Sequence, residues 1–307
     1  MTISAIILAA GKSTRMKSRR VKVLHEICGR PMLAYVLDAV RQVGASKIAV
    51  VVGHGRQEVM QTFDDHADIL WVHQEEQKGT GHAVRVCQAA LAGTAGDVFV
   101  LAGDGPLIRA QTLDALLATH REKKAALTLA TSILADAQGY GRIIRGTGDE
   151  VLEIVEHRDA TETQRQIREV NPSYYLFRME SLFSALAEVR PNNQKGEYYL
   201  TDTVGILRSH GQRVAAVNAV PPADVLSINS REELAVVGGL MQRRIAQGVM
   251  DSGVTLVRPE CTWIEFGAKI GQDTVLEPFT WVGAGATVPP SSHVPAGTVI
   301  ARGGHFG

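Results

Sequence analysis

From Ile264 onward a branched aliphatic residue returns at every sixth position: Ile264, Ile270, Leu276, Val282, Val288, Val294 and Ile300. The residue two places before each is small: Thr262, Ala268, Thr274, Thr280, Ala286, Ser292 and Thr298. A repeat of six drifts out of phase with an α-helix, and an isolated strand alternates at every second residue instead. The pattern suits a parallel β-helix, in which each flat side contributes one inward aliphatic and one small corner residue. If three hexads close a turn, the unbroken run makes about two turns. The competing reading is a glycine-rich β tail packed on the rest of the chain.

Upstream the pattern changes. Apolar runs at 4–8, 48–52, 69–72, 98–101 and 127–131, bounded by glycine or polar residues, fit buried strands. Amphipathic segments lie near 32–43, 56–65, 82–92 and 113–123. This βαβα order predicts an α/β fold with a mostly parallel sheet covered by helices on both faces. Ligands of such sheets bind beyond the carboxyl ends of the strands, which directs attention to Gly11 and Asp104. A further helix at 231–250 leads to the repeat. The expected divisions are therefore 1–230, 231–250 and 251–307.

Lysine plus arginine and aspartate plus glutamate each number 32, so the formal net charge is zero. That balance speaks against a general binder of nucleic acid or anionic membranes, and no partner of either kind is expected. An anionic ligand would need a focused site. No apolar stretch approaches the ~18 residues of a membrane span, and the start lacks the charged region of a signal peptide. Cys28, Cys87 and Cys261 match no zinc spacing, and their odd number argues against a disulfide framework. A cytoplasmic location is the expectation.

Leu8, Ala9, Ala10 and Gly11 lead from the first strand directly into Lys12-Ser13-Thr14-Arg15. Small residues let the backbone approach a ligand, and loop N–H groups can cradle phosphate oxygens. Arg15 and Lys22 add positive charge. A P-loop needs glycine where Ile6 stands, and the G-x-G-x-x-G dinucleotide pattern is missing. Taken alone, the loop is either a phosphate cradle or a surface turn.

The segments LAAGKSTRM at 8–16 and KVLHEICGRPML at 22–33 resemble the signature of the sugar-phosphate nucleotidyltransferases. GHG at 53–55, QEEQKGTGHA at 74–83, AGDGPL at 102–107, GYGRI at 139–143, IVEHRDA at 154–160 and GEYYLTD at 196–202 follow in order. Together they are similar to the uridylyltransferase domain of the bifunctional N-acetylglucosamine-1-phosphate uridylyltransferase/glucosamine-1-phosphate acetyltransferase family. The similarity covers 3–250, and the repeat matches the start of that family's second domain.

This resemblance implies a Rossmann-like nucleotidyltransferase domain followed by a short left-handed parallel β-helix. It implies UTP and N-acetylglucosamine-1-phosphate as substrates and Mg²⁺ as cofactor. Attack on the α-phosphorus, with pyrophosphate leaving, needs positioning and charge neutralisation more than covalent help from protein. Arg15, Lys22 and Asp104 would form the catalytic set. Leu8, Ala9, Ala10, Gly11 and Gly103 would contact the nucleotide, with Gln74, Gly79 and Thr80 reading its uracil. An amide suits an imide N–H flanked by carbonyls. Asp104 and Asn229 would hold the metal, which takes few protein oxygens besides phosphates and water. Gly141, Glu156, Asn171, Tyr199 and Thr201 would line the sugar pocket. Tyr198 is expected in the core, and His25, His82 and His157 either in structural roles or supporting the residues that line the site.

Four positions depart from the family pattern. Val21 replaces proline, which is expected to loosen the loop. Ala102 replaces a common tyrosine, and Gly105 a β-branched residue. Pro172-Ser173 replaces Thr-Gly after Asn171, adding bulk and removing an N–H beside the sugar pocket. Two alternatives therefore stay open: a nucleotidyltransferase for another sugar phosphate or nucleotide, and a non-catalytic UDP-sugar sensor. The two-turn tail is expected to lack acetyltransferase activity and to cap the domain or support a homo-oligomer.

Overall fold

The computed structural model describes residues 2–12, 14–148 and 150–307, so Ser13 of the glycine loop lies outside the described residues. Strand β1 (Ile3–Leu8) is followed by a hairpin of β2 (Glu26–Ile27) and β3 (Arg30–Pro31), then helix α1 (Met32–Gln42). The alternation continues through β4 (Lys47–Val52), α2 (Arg56–Thr62), β5 (Ile69–His73), α3 (Thr80–Arg85), β6 (Asp97–Ala102), α4 (Ala110–Lys123) and β7 (Leu127–Ile133). After these come β8 (Gly141–Arg145), β9 (Val151–Val155), α5 (Glu162–Arg165), β10 (Glu169–Asn171) and β11 (Tyr175–Arg178). Helices α6 (Met179–Glu188) and α7 (Thr203–Ser209), strand β12 (Val214–Asn218) and helix α8 (Arg231–Asp251) complete this part.

The strands join in the order β5-β4-β1-β6-β11-β7-β10-β8-β9, with β12 against β7. Strands β5, β4, β1 and β6 pair in parallel, as their βαβ connections require. Strand β11 runs against both β6 and β7, which brings its amino end to the edge where β1 and β6 end. Burial follows position. The central β1 is buried along almost its whole length, whereas the edge strand β5 is buried only at Ile69 and Val72. Successive residues serve opposite faces: Ile7 packs with Leu33, Leu37 and Leu116, and Ile6 with Val84, Leu182 and Val204.

The helix expected at 82–92 is shorter. α3 ends at Arg85, after which Cys87 N bonds Val84 O and Gln88 N bonds Arg85 O in tight three-residue steps. Cys87 and Leu91 still pack into the core, so the apolar spacing reported burial correctly and helix length incorrectly.

The tail holds β13 (Thr255–Leu256), β14 (Trp263–Ile264), β15 (Lys269–Ile270), β16 (Val275–Leu276), β17 (Trp281–Val282), β18 (Thr287–Val288), β19 (His293–Val294) and β20 (Val299–Ile300). They stack as β13-β16-β19, β14-β17-β20 and β15-β18, all parallel. Trp263 pairs with Trp281 and Trp281 with Val299, so one turn is three hexads. Leu276, Val282, Val288 and Val294 fill the interior. Coils approach so closely at Gly283 that a Cβ there would lie 2.5 Å from Arg302 N.

Helix α8 starts at a capping box formed by Ser230 and Glu233 and leads into the tail. Gln242 Nε2 donates to Thr262 O at 3.1 Å. Phe266 N donates to Cys28 O at 2.8 Å, and Arg302 joins Glu265 of the tail to Glu26 of β2. Among the described residues no helix is long and apolar enough to cross a membrane.

Candidate active site

The carboxyl ends of β1, β5 and β6 and the amino end of β11 open onto a cleft of about 340 Å³. Leu8, Ala9, Ala10 and Gly11 form its floor. Their backbone is tied to the neighbouring strands, with Ala9 N donating to Val51 O and Gly103 N to Leu8 O, both at 2.9 Å. A Cβ at Gly103 would lie 3.0 Å from Leu8 O, so that glycine supports the loop from beneath and does not line the cleft.

Lys22 enters from a short 3₁₀ turn. Its ammonium donates to Asp104 Oδ2 and, at 2.9 Å, to Asn229 Oδ1. Ile228 N donates to Asp104 O at 3.1 Å, which brings the Asn229 segment to the end of β6. Glu233 then fixes that segment by accepting from the N–H groups of Asn229 and Ser230. Val21, expected to loosen this loop in place of proline, is held in a proline-like conformation. Its φ of −61° is the value a proline ring imposes, and it is buried. A Cβ at Gly55 would lie 2.3 Å from Val21 Cγ2, so the glycine makes room for this packing.

Two hard oxygens, one carboxylate and one amide, thus converge on a single positive charge. Such a pair fits a divalent cation whose remaining shell is phosphate and water. The described residues contain no cluster of three or more His, Cys, Asp or Glu suited to a metal.

Beyond β5, Gln74, Gly79 and Thr80 all line the cleft, joined by Gln77. Gln74 is buried, and its Nε2 donates to Gly79 O at 3.4 Å and meets His82 Nδ1 at 2.9 Å. Gly79 adopts φ +105°, and a Cβ there would lie 2.6 Å from Tyr198 O, so no other residue fits. Thr80 Oγ1 accepts from Leu200 N at 3.1 Å, which ties this wall to the opposite one.

On that opposite wall Thr201 Oγ1 donates to Glu156 Oε1 at 3.4 Å, and both line the cleft. Burial raises the Glu156 pKa; Asp159 and Asp202 add to this, while Thr201 and Lys195 oppose it. Asp202 is pushed up to about 6 by burial and by Asp159.

Several residues expected at the site stand elsewhere. Asn171 is buried and off the lining, because its amide donates to Tyr175 Oη at 2.6 Å and its Oδ1 accepts from Ser173 N at 3.1 Å. Gly141 pairs with Asn171 across β8 and β10, and a Cβ there would crowd Ile154 Cγ2 at 3.1 Å. Tyr199 lies outside the lining; burial, then Asp159 and Glu156, pushes its phenol up to about 12. Arg15 is exposed on the turn Thr14–Met16, also off the lining. Asn229 reaches the cleft only through Lys22.

Ser173, expected beside the sugar pocket, lines the cleft, and so do Tyr175 and Glu197, which no motif position marks as ligand-binding. Ser173 had a signal, since it stands where glycine is usual and takes φ +65°, a glycine-type conformation. Tyr175 gave no sequence signal beyond an apolar run.

The MobA-like NTP transferase domain family matches residues 5–200. The bifunctional protein GlmU of Brevibacillus brevis is 46% identical over 286 residues, covering 93% of this chain and 62% of that protein. GlmU of Shouchella clausii is 44% identical over 297 residues, covering 97% and 65%. The chain thus spans about six tenths of the length of these curated relatives. A solved UDP-glucose pyrophosphorylase complexed with UDP-glucose superimposes with a TM-score of 0.64 at 18% identity, covering 80% of this chain and all of that one. That likeness is one of fold.

Proposed function

The chain belongs to the MobA-like NTP transferase family, and from that premise we propose that this nucleotidyltransferase transfers a uridylyl group from UTP to N-acetylglucosamine-1-phosphate with Mg²⁺ as cofactor. The observation that carries the reading is the Lys22 ammonium, which meets Asp104 and Asn229 at separations of 82 and 207 residues. A surface turn has no use for such convergence. The similarity to GlmU supports the choice of substrates.

In this reading the backbone of 8–11 holds the phosphates close, and Gln74 faces the uracil. Lys22, with Arg15 further out, offsets the charge that spreads over phosphate oxygens as pyrophosphate departs. Asp104 and Asn229 would hold Mg²⁺, which would supply positive charge to offset that of the phosphate oxygens. Lys22 and the cation compete for the same two oxygens. Glu156 and Thr201 bond the sugar hydroxyls. Leu8, Leu200 and Ala83 give the cleft apolar walls that limit water.

One observation favours a different sugar phosphate: the Ser173 hydroxymethyl occupies cleft wall in place of the usual glycine. For the tail we assign association with a second copy of this chain. The supporting feature is an outward stripe in which Trp263 stacks on Trp281 at 5.5 Å, beside Val299 at 72% exposure. No acetyl transfer is proposed for 251–307. The free thiols of Cys28, Cys87 and Cys261 suit a reducing cytoplasm.

The test is pyrophosphate release across a panel of nucleoside triphosphates and sugar-1-phosphates, with and without Mg²⁺. The expected best pair is UTP with N-acetylglucosamine-1-phosphate, dependent on the metal. Preference for another sugar would establish the alternative, and binding of UDP-sugars without turnover of any pair would establish a sensor.

A further inference from the structure

At the base-reading end of the cleft one contact is unused by the mechanism above. Gln74 is only 3% exposed, so protein neighbours and not water set its amide orientation. Its Nε2 carries two hydrogens. One is directed to His82 Nδ1 at 2.9 Å and the other to Gly79 O at 3.4 Å. Both donors are used, which leaves Oε1, an acceptor, for a ligand. An acceptor complements a ring N–H such as the uracil imide, and it repels the ring-nitrogen lone pair that cytosine presents in the same place.

That orientation requires a neutral His82 with its proton on Nε2, so that Nδ1 accepts. The surroundings keep the ring in this form. Burial lowers its pKa from the ordinary 6.5, and Arg85 on the same helix and Lys78 in the preceding loop act in the same direction, opposed by Glu76. From the facing segment Tyr198 presents its ring, 6.4 Å away between centroids, and the Arg85 guanidinium lies 4.8 Å from the centre of that ring.

We propose that His82 is a positioning residue for nucleotide choice: by accepting from Gln74 Nε2 it locks Oε1 toward the cleft, and the chain thereby prefers a base with a ring N–H. The inference rests on the proposed uridylyl transfer for the identity of the ligand. Without an acceptor at Nδ1 the amide is able to turn over, and cytosine gains the contact that uracil loses.

Equilibrium titration with UTP and with CTP, each with Mg²⁺ and no sugar phosphate, tests it on wild type, His82→Asn and His82→Leu. Asparagine sets an amide oxygen close to the place of Nδ1, whereas leucine fills similar space without an acceptor. Wild type is expected to prefer UTP, and His82→Leu to lower the UTP/CTP affinity ratio about tenfold, the value of one buried hydrogen bond. His82→Asn keeps the wild-type ratio. In wild type the ratio falls only as the pH drops through the folded pKa of His82, which burial holds below the ordinary 6.5, while in His82→Asn it does not. This pH arm decides the matter even if the leucine variant fails to fold. Equal binding of UTP and CTP by wild type overturns the inference, as does a leucine variant with the wild-type ratio or a preference in wild type that ignores pH. A chain that selects UTP yet releases no pyrophosphate retains this inference and loses the proposed function.

Discussion

The tail and the cleft both hold side chains in fixed places, by opposite means. In the tail each coil repeats the one before, and ladder partners stand one turn apart, as Trp263, Trp281 and Val299 do. In the cleft Lys22 finds Asn229 across 207 residues, and the meeting depends on the order of the whole sheet. A structure built from repeated neighbour contacts writes its period into the sequence. A convergent site writes none. The two regions should also fail differently: a core deletion in the tail costs stability, and a cleft deletion costs chemistry.

The largest effects test that separation. Asp104→Ala is expected to lower turnover about 10²–10³-fold or more. Its unfolding midpoint should fall less than that of the tail variant below, because Asn229 Oδ1 still accepts from Lys22 and the Asp104 carbonyl that receives Ile228 N is retained. Leu276→Ala should do the reverse. Leu276 is fully buried, so the substitution costs about 2–5 kcal/mol in calorimetric unfolding, while kcat at low temperature stays near wild type. If the tail variant loses turnover as Asp104→Ala does, the regions are coupled and the comparison breaks.

Arg302→Ala probes the junction between the two regions and should cost about 1–2 kcal/mol, reduced because the guanidinium is half exposed. Burial acts to raise the Glu265 pKa, but hydrogen bonds from Arg302 and from Ala284 N hold it below the ordinary 4.5. A depressed carboxyl pKa adds stability above 4.5 that is lost as pH falls through the lower folded value. Thermal unfolding from neutral to about pH 3 should therefore fall more steeply for wild type than for Arg302→Ala. Parallel curves would remove this contact from the junction.

The smallest effect belongs to Ser173→Gly. Relief of the left-handed backbone should raise stability by about 0.5–1 kcal/mol. The sugar-1-phosphate preference should shift, with the KM for UTP unchanged. An unaltered sugar preference would show that the hydroxymethyl does not take part in substrate choice.

Strands were legible where β-branched runs lie in the sheet centre, as at 48–52 and 98–101, because burial on both faces leaves an unbroken apolar word. The end of α3 was not, since Cys87 and Leu91 are buried from a chain of turns as effectively as from a helix. Lys22, Gln74, Asp104, Glu156 and Thr201, all carried by the motifs, line one cleft because the strand ends deliver them there. Asn171, which the motif position put in the sugar pocket, spends one amide hydrogen on Tyr175 and one oxygen lone pair on Ser173, and it stands behind the cleft wall. Val21 likewise packs against the Gly55 turn, where a Cβ on the glycine would lie 2.3 Å from Val21 Cγ2. Such pairings are tertiary facts that spacing does not encode.

The Lys22–Asp104–Asn229 meeting point is assigned to uridylyl transfer. Phosphorus NMR of UTP, N-acetylglucosamine-1-phosphate and Mg²⁺ mixed with the protein tests it most directly. With wild type the diphosphate resonances of a UDP-sugar and the signal of pyrophosphate should grow together, and with Asp104→Ala both should grow at least about a hundredfold more slowly. Equal product from both proteins, or none from wild type, would contradict the account.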